Sequence, residues 1–120
     1  MDNKEFGKVM ESRTKTFAVG VIKLLSSISN NNETVSLKKQ LIRSGTSIGA
    51  NYREANHSRS KADFANKIRI CESECNESIY WLELFSEIDQ KNQQSIQDLL
   101  KESRELLAIF SSISKSLHPK

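Results

Sequence analysis

Proline is almost missing from this chain. The single one, Pro119, is next to last, and only four glycines accompany it in 120 residues. A β-sandwich or barrel needs far more turn punctuation, so long helices joined by short connections are expected. Aromatic residues are scarce at 7%, within 37% hydrophobic residues overall. That is thin for a deep enzyme pocket and ordinary for helices that each bury one stripe. No apolar run is long enough to span a bilayer, and the mean hydropathy is −0.53, which argues against any contact with a membrane interior. The opening MDNKEFGKVM has no apolar signal core, which predicts a cytoplasmic protein. This length suits a single domain with a modest core, here residues 1–120.

Cysteine is nearly as sparse. Cys71 and Cys75 stand four apart in a strongly helical region. On one helix their Cβ atoms would be about 6 Å apart, too far for a disulfide, which needs roughly 3.8 Å. They read as reduced core residues. With His57 and His118 the only histidines and no CxxC pattern, neither a metal nor another cofactor is expected. The pair of Glu-x-x-His motifs that di-iron bundles require is absent, as is a glycine loop able to cradle phosphate. An enzyme is therefore not expected.

What is present is helical periodicity. Phe6, Val9, Met10, Phe17, Val21, Leu24 and Ile28 form a stripe, widened by Ala18, Ile22 and Leu25, for a first helix over about 4–29. SNNNE (29–33) is a polar break whose asparagines can cap a second helix over about 34–56. Its stripe is Leu37, Leu41, Ile48, Tyr52 and Ala55. Gly45 and Gly49 lie among Ser44, Thr46, Ser47 and Ala50. Each glycine costs about 1 kcal/mol of helix propensity relative to alanine, so this helix must be held by packing. The small residues admit another backbone closely, either within one subunit or between subunits.

NHSRS (56–60) is the turn. Ser60 and Asp63 have capping-box spacing, opening a third helix over about 60–88. Phe64, Ile68, Cys71, Cys75, Ser78, Leu82 and Phe85 keep alternating three- and four-residue steps along it. Ile79, Trp81, Leu84 and Ile88 fall off that seam, which suggests a second face buried against another chain. After DQKN (89–92), with Asn92 or Ser95 as cap, a fourth helix is expected over about 93–117. The predicted fold is all-α: an up-down-up-down antiparallel four-helix bundle. The tail His118-Pro119-Lys120 should fray.

Charge is strongly segregated. Residues 38–69 carry eight Lys and Arg against only Glu54 and Asp63, whereas residues 70–90 carry six carboxylates and no Lys or Arg. In a hairpin turning near Ser58, Lys38, Lys39 and Arg43 fall opposite Glu72, Glu74 and Glu77 and compensate them. Glu74 and Glu77 could pair with Arg43 or Arg53, which would fix helix register or form a polar site. Arg53, Arg59, Lys61, Lys67 and Arg69, nearer the turn, are left to only Glu54 and Asp63. The turn end is therefore the candidate surface for phosphates of RNA or DNA, or for a partner protein. The plain alternative is a solvated face that keeps the protein soluble.

The run RSGTSIGANYREANHSRSKADFANKI, continued by ESIYWLEL, closely resembles the bacterial four-helix-bundle proteins called 23S rRNA-intervening-sequence proteins. Ser47, Ile48, Asn51, Glu54, Phe64, Glu77, Tyr80, Trp81, Leu82, Glu83 and Leu84 carry the resemblance; Ala55 stands where many relatives have glycine. The resemblance implies a four-helix bundle assembled as a ring-like homopentamer. Gly45, Gly49, Asn51, Glu54, Glu77 and Trp81 are read as structural and packing residues. The family name records a genomic location and not an activity. A related group serves diversity-generating retroelements, where a basic pentamer binds reverse transcriptase and nucleic acid. The implied function is a non-enzymatic oligomeric adaptor binding RNA or DNA at the turn, or else a scaffold docking a partner enzyme such as a reverse transcriptase.

Overall fold

Four stretches of one-sided hydrophobicity become four helices in the computed structural model, which describes residues 1–117. They are α1 (Asn3–Ser26), α2 (Asn32–Asn56), α3 (Lys61–Ile88) and α4 (Gln93–Leu117). The expected tail at 118–120 lies outside the described residues. Each helix packs on its sequence neighbour, and α1 closes the square against α4, the sparsest of the four seams. Diagonal pairs keep their backbones apart. Side chains bridge that gap: the rings of Tyr52 and Phe110 meet with centroids 5.6 Å apart.

Local chemistry sets the helix ends. Expected to reach residue 29, α1 stops at Ser26, because the Ser27 N–H turns back to the Leu24 carbonyl at 3.0 Å and the Ser27 hydroxyl donates to that same oxygen at 2.7 Å. Expected at 34, α2 begins at Asn32, and Thr34 is the third residue of a capping box. The Thr34 N–H donates to Asn31 Oδ1 and the Asn31 N–H to Thr34 Oγ1, both at 2.8 Å. Ser60 caps α3, accepting the Asp63 N–H at 3.0 Å. Asn92 precedes α4, its carbonyl accepting the Ile96 N–H at 3.0 Å.

The α3 seam is buried as its spacing predicts, from Ile68 through Cys71, Cys75, Ser78 and Leu82 to Phe85, with Phe64 half-buried. Both cysteines are free thiols. Burial pushes the Cys71 thiol up to about 12 and raises Cys75 as well, so both stay protonated and unreactive. The α1 stripe is narrower than expected. Val9 and Ile22 are 46% and 45% exposed, because α1 touches only α2 and, lightly, α4.

The small residues of α2 face α1 inside the chain. A Cβ on Gly45 would lie 3.1 Å from Val21 Cγ2, and one on Gly49 would lie 3.1 Å from Thr14 Oγ1 and 3.5 Å from the Thr14 backbone carbon. The opposite edge of α2 approaches α3 through small polar groups, with the Ser78 hydroxyl donating to Ser44 Oγ at 2.9 Å. On the sparse α1–α4 seam, Arg13 grips Glu102 with two hydrogen bonds of 2.8 and 2.7 Å.

These contacts set an order of tolerance. Gly45→Leu and Gly49→Leu should each destabilise the protein by about 2 kcal/mol or more through overpacking. Gly7→Ala should be neutral or stabilising by up to about 1 kcal/mol, because its Cβ would meet only the Asn56 side chain at 3.4 Å. Urea unfolding at fixed protein concentration ranks the three variants.

Candidate nucleic-acid interface

Serine chemistry builds the turn between α2 and α3. The His57 and Ser58 N–H groups donate to the Glu54 and Ala55 carbonyls, both at 3.1 Å, and the Ser58 hydroxyl donates to the Ala55 carbonyl at 2.6 Å. This stops α2, and two residues later Ser60 starts α3. The cations on either side of that cap, Arg59 and Lys61, are exposed and border one shallow hollow floored by Ala55 and Phe64. Among the described residues no carboxylate lies within ion-pair distance of either.

The other expected cations are not gathered there. Arg53 is not left to Glu54 and Asp63, as the sequence suggests. Its Nε lies 3.8 Å from Glu11 Oε1 of α1, and Asn56 Nδ2 donates to Glu11 Oε2 at 2.8 Å. Arg53 therefore lines a separate groove between α1 and α2. Lys67 is half-buried and Arg69 exposed further along α3, bordering neither depression. Antiparallel packing also brings the α1 N-terminus and the α4 C-terminus to this end, adding Lys4, Lys8 and Lys115, with Asp2 and Glu5 opposing them. Linear charge counting overlooks these residues and Glu11 because they are distant in sequence.

The acidic half of α3 is largely answered inside the bundle, by Arg43 as expected but not by the two lysines. Arg43, not Arg53, takes both carboxylates. It sits 3.1 Å from Glu74 Oε2 and also bonds Glu77, which accepts the Trp81 indole N–H at 3.3 Å. The hydrogen bond to Glu77 raises the Arg43 guanidinium, and the same contact holds the Glu77 carboxyl below its usual range. Lys38 does not face this cluster. Its Nζ donates to the Ile28 carbonyl and, at 2.7 Å, to Asn30 Oδ1. Glu72 instead accepts the Ser111 hydroxyl of α4 at 2.9 Å. With Arg43 level with Glu74 and Glu77, Lys38 and Lys39 sit at least one turn too far along α2 to reach them.

Of the residues assigned to packing, Asn51 donates to the Ser47 carbonyl one turn back at 2.9 Å, and Trp81 is half-buried against Glu77. Glu54 departs from that assignment. It is exposed, and among the described residues its carboxylate makes no hydrogen bond or ion pair.

Two motif spellings in α2 carry no catalytic geometry. Gly45–Gly49 reads GTSIG, the G-x-S-x-G of a nucleophile elbow, but an elbow is a strained strand-to-helix turn. Here it is mid-helix, and the Ser47 hydroxyl is bonded to the Arg43 carbonyl at 2.6 Å. Glu54 and His57 have Glu-x-x-His spacing at the exposed end of α2. Among the described residues no group of three His, Cys, Asp or Glu is placed to hold a metal, and no helix is long and apolar enough to cross a membrane.

Comparison with known proteins agrees with this architecture. The family model described as 23S rRNA-intervening sequence protein matches residues 9–112. A crystal structure of a protein of unknown function from the S23 ribosomal protein family of Bacteroides thetaiotaomicron superposes with a TM-score of 0.79. The two are 37% identical over 88% of this chain and 97% of that one. Comparison with curated proteins gives no significant match.

The Arg43 cluster yields a stability test. Arg43→Ala leaves Glu74, only 9% exposed, without its cation. The expected loss is about 1–2 kcal/mol, below that of a fully buried pair because Arg43 is half exposed. The Glu77 carboxyl is depressed on folding, so its contribution is present above the unfolded carboxylate range and lost as pH falls through the folded value. Chemical denaturation at neutral pH should separate wild type from Arg43→Ala, and the gap should shrink on acidification.

Proposed function

The chain belongs to the 23S rRNA-intervening sequence protein family, and from that premise we propose that it is a non-enzymatic oligomeric adaptor holding RNA or DNA weakly by its phosphates at the α2–α3 turn. One observation carries this reading: Arg59 and Lys61 border a single hollow and among the described residues meet no carboxylate, whereas Arg43 is taken up by Glu74 and Glu77 of α3 and Lys38 by the Ile28 carbonyl. Phosphate contacts give affinity and register without reading sequence. The net charge of +3 keeps each copy's hold weak. Several copies on one oligomer act together once a strand spans them. The ring-like homopentamer implied by the family resemblance would supply such copies.

Fluorescence anisotropy with a labelled structured RNA tests the interface. Affinity should fall steeply between about 50 and 200 mM salt. Replacing Arg59 and Lys61 with Ala should weaken binding and flatten the salt dependence by roughly 0.7–0.9 in log–log slope per cation lost. No binding at low salt, or an unaffected double variant, would sink the proposal.

A second reading, a scaffold docking a partner enzyme such as a reverse transcriptase, is favoured by a different face. Tyr80 and Ile88 are 54% and 55% exposed on α3 beside half-buried Trp81 and Leu84, and the Tyr80 and Trp81 rings meet edge-on at 5.1 Å. Such a patch fits a protein surface better than a phosphate chain. Light scattering at micromolar concentration addresses assembly directly. A mass near five chains is expected, and a stable monomer would contradict it. Replacing Tyr80 and Ile88 with Ser should lower that mass if the face joins copies, and leave it unchanged if it docks another protein.

A further inference from the structure

We infer that Glu11 sets how strongly Arg53 engages phosphate, and that the groove between α1 and α2 is a second anion-binding surface beside the α2–α3 turn, where it receives the sugar–phosphate backbone of nucleic acid. This rests on the phosphate-binding reading above and adds to it a second stretch of surface and a residue that limits it. The groove is walled by Lys15 and Arg53, and among the described residues Glu11 is the one carboxylate lining it. Its floor includes Ala18, Gly49 and Ala50, side chains too small to hold an approaching backbone away.

Glu11 is anchored independently of Arg53. Asn56 Nδ2 donates to Glu11 Oε2 at 2.8 Å, while Arg53 Nε stands 3.8 Å from Oε1, beyond hydrogen-bond reach. The carboxylate therefore stays in the groove whatever Arg53 does. The Arg53 side chain is 57% exposed, and its guanidinium donors can turn to a phosphate oxygen. An incoming phosphodiester then meets two cations and one fixed anion. The groove offers no free hydroxyl donor, because Thr14 is spent on the Met10 carbonyl at 2.8 Å and Thr46 on the Ile42 carbonyl at 2.6 Å. Recognition is ionic, and RNA and DNA of one sequence should bind alike.

Glu11→Gln removes the charge and keeps an acceptor for Asn56, so it isolates the electrostatic effect. With the full chain and labelled single strands of RNA and of DNA, Glu11→Gln should tighten binding about three- to fivefold. It should also steepen the log–log salt dependence by roughly 0.7, the increment for one more single-strand phosphate contact. Arg53→Ala should weaken binding, and Glu11→Gln added to it should give back less than it gains in wild type, because only direct repulsion by Glu11 is then left to relieve and its hold on Arg53 is not. Lys15→Glu, a change at an exposed position, tests the groove without touching that pair and should weaken binding severalfold. Unchanged affinity in Glu11→Gln and Lys15→Glu, or an equal gain from Glu11→Gln with and without Arg53, would overturn the inference. If wild type binds through Arg59 and Lys61 while these variants are silent, only the groove is refuted. If wild type does not bind at low salt, both proposals fall.

Discussion

The close approach of α2 to α1 at Gly45 and Gly49 is the contact on which the rest of the bundle depends. A helix carrying two glycines and several hydroxyl residues has little tendency to form alone, and it persists because its bare backbone lets Val21 and Thr14 come within van der Waals reach. Once α1 is seated there, Met10, Phe17 and Val21 are buried with Ile48 and Tyr52 of α2 in one core. The same edge leaves an open groove bordered by Lys15 and Arg53. Packing and the proposed binding surface thus share one cause: side chains small enough to let other atoms in.

Charge follows from this packing. The helix seams decide which carboxylates meet which cations, and they use Glu74 and Glu77 on Arg43, Glu102 on Arg13 and Glu83 on Arg104. These pairs tie α2 to α3, α1 to α4 and α3 to α4. Arg59 and Lys61 have no such task among the described residues: both are exposed and neither pairs with a carboxylate. A residue free of structural duty can be given to a ligand at no cost to the fold. That is the physical ground for preferring this end over the acidic half of α3.

The helices were legible because their burial repeats with the helical period, and α3 matches its pattern almost residue for residue. Caps were legible where side-chain chemistry is local, as at Asn31 and Ser60. Register was not. The expected pairing of Lys38 and Lys39 with the acidic face failed because a shift of one turn, invisible in composition, moves a side chain out of reach. Arg53 was misjudged for a related reason, since its carboxylate comes from α1, many residues away. GTSIG spells a motif that suits catalysis only on a strand-to-helix turn, and its backbone here is ordinary helix.

The sequence by itself determined the number of helices, their approximate limits, the buried seam of α3, the spacing that keeps the two cysteines unbridged, and the segregation of charge. All of these depend on residues near one another along the chain or on composition alone. Only the tertiary structure decided that the glycines face α1, that Arg43 and not Arg53 serves Glu74 and Glu77, and that Glu11 reaches the basic end. Those outcomes depend on the rotation and axial offset of one helix against another. Many small packing terms fix both together, and no single residue encodes either.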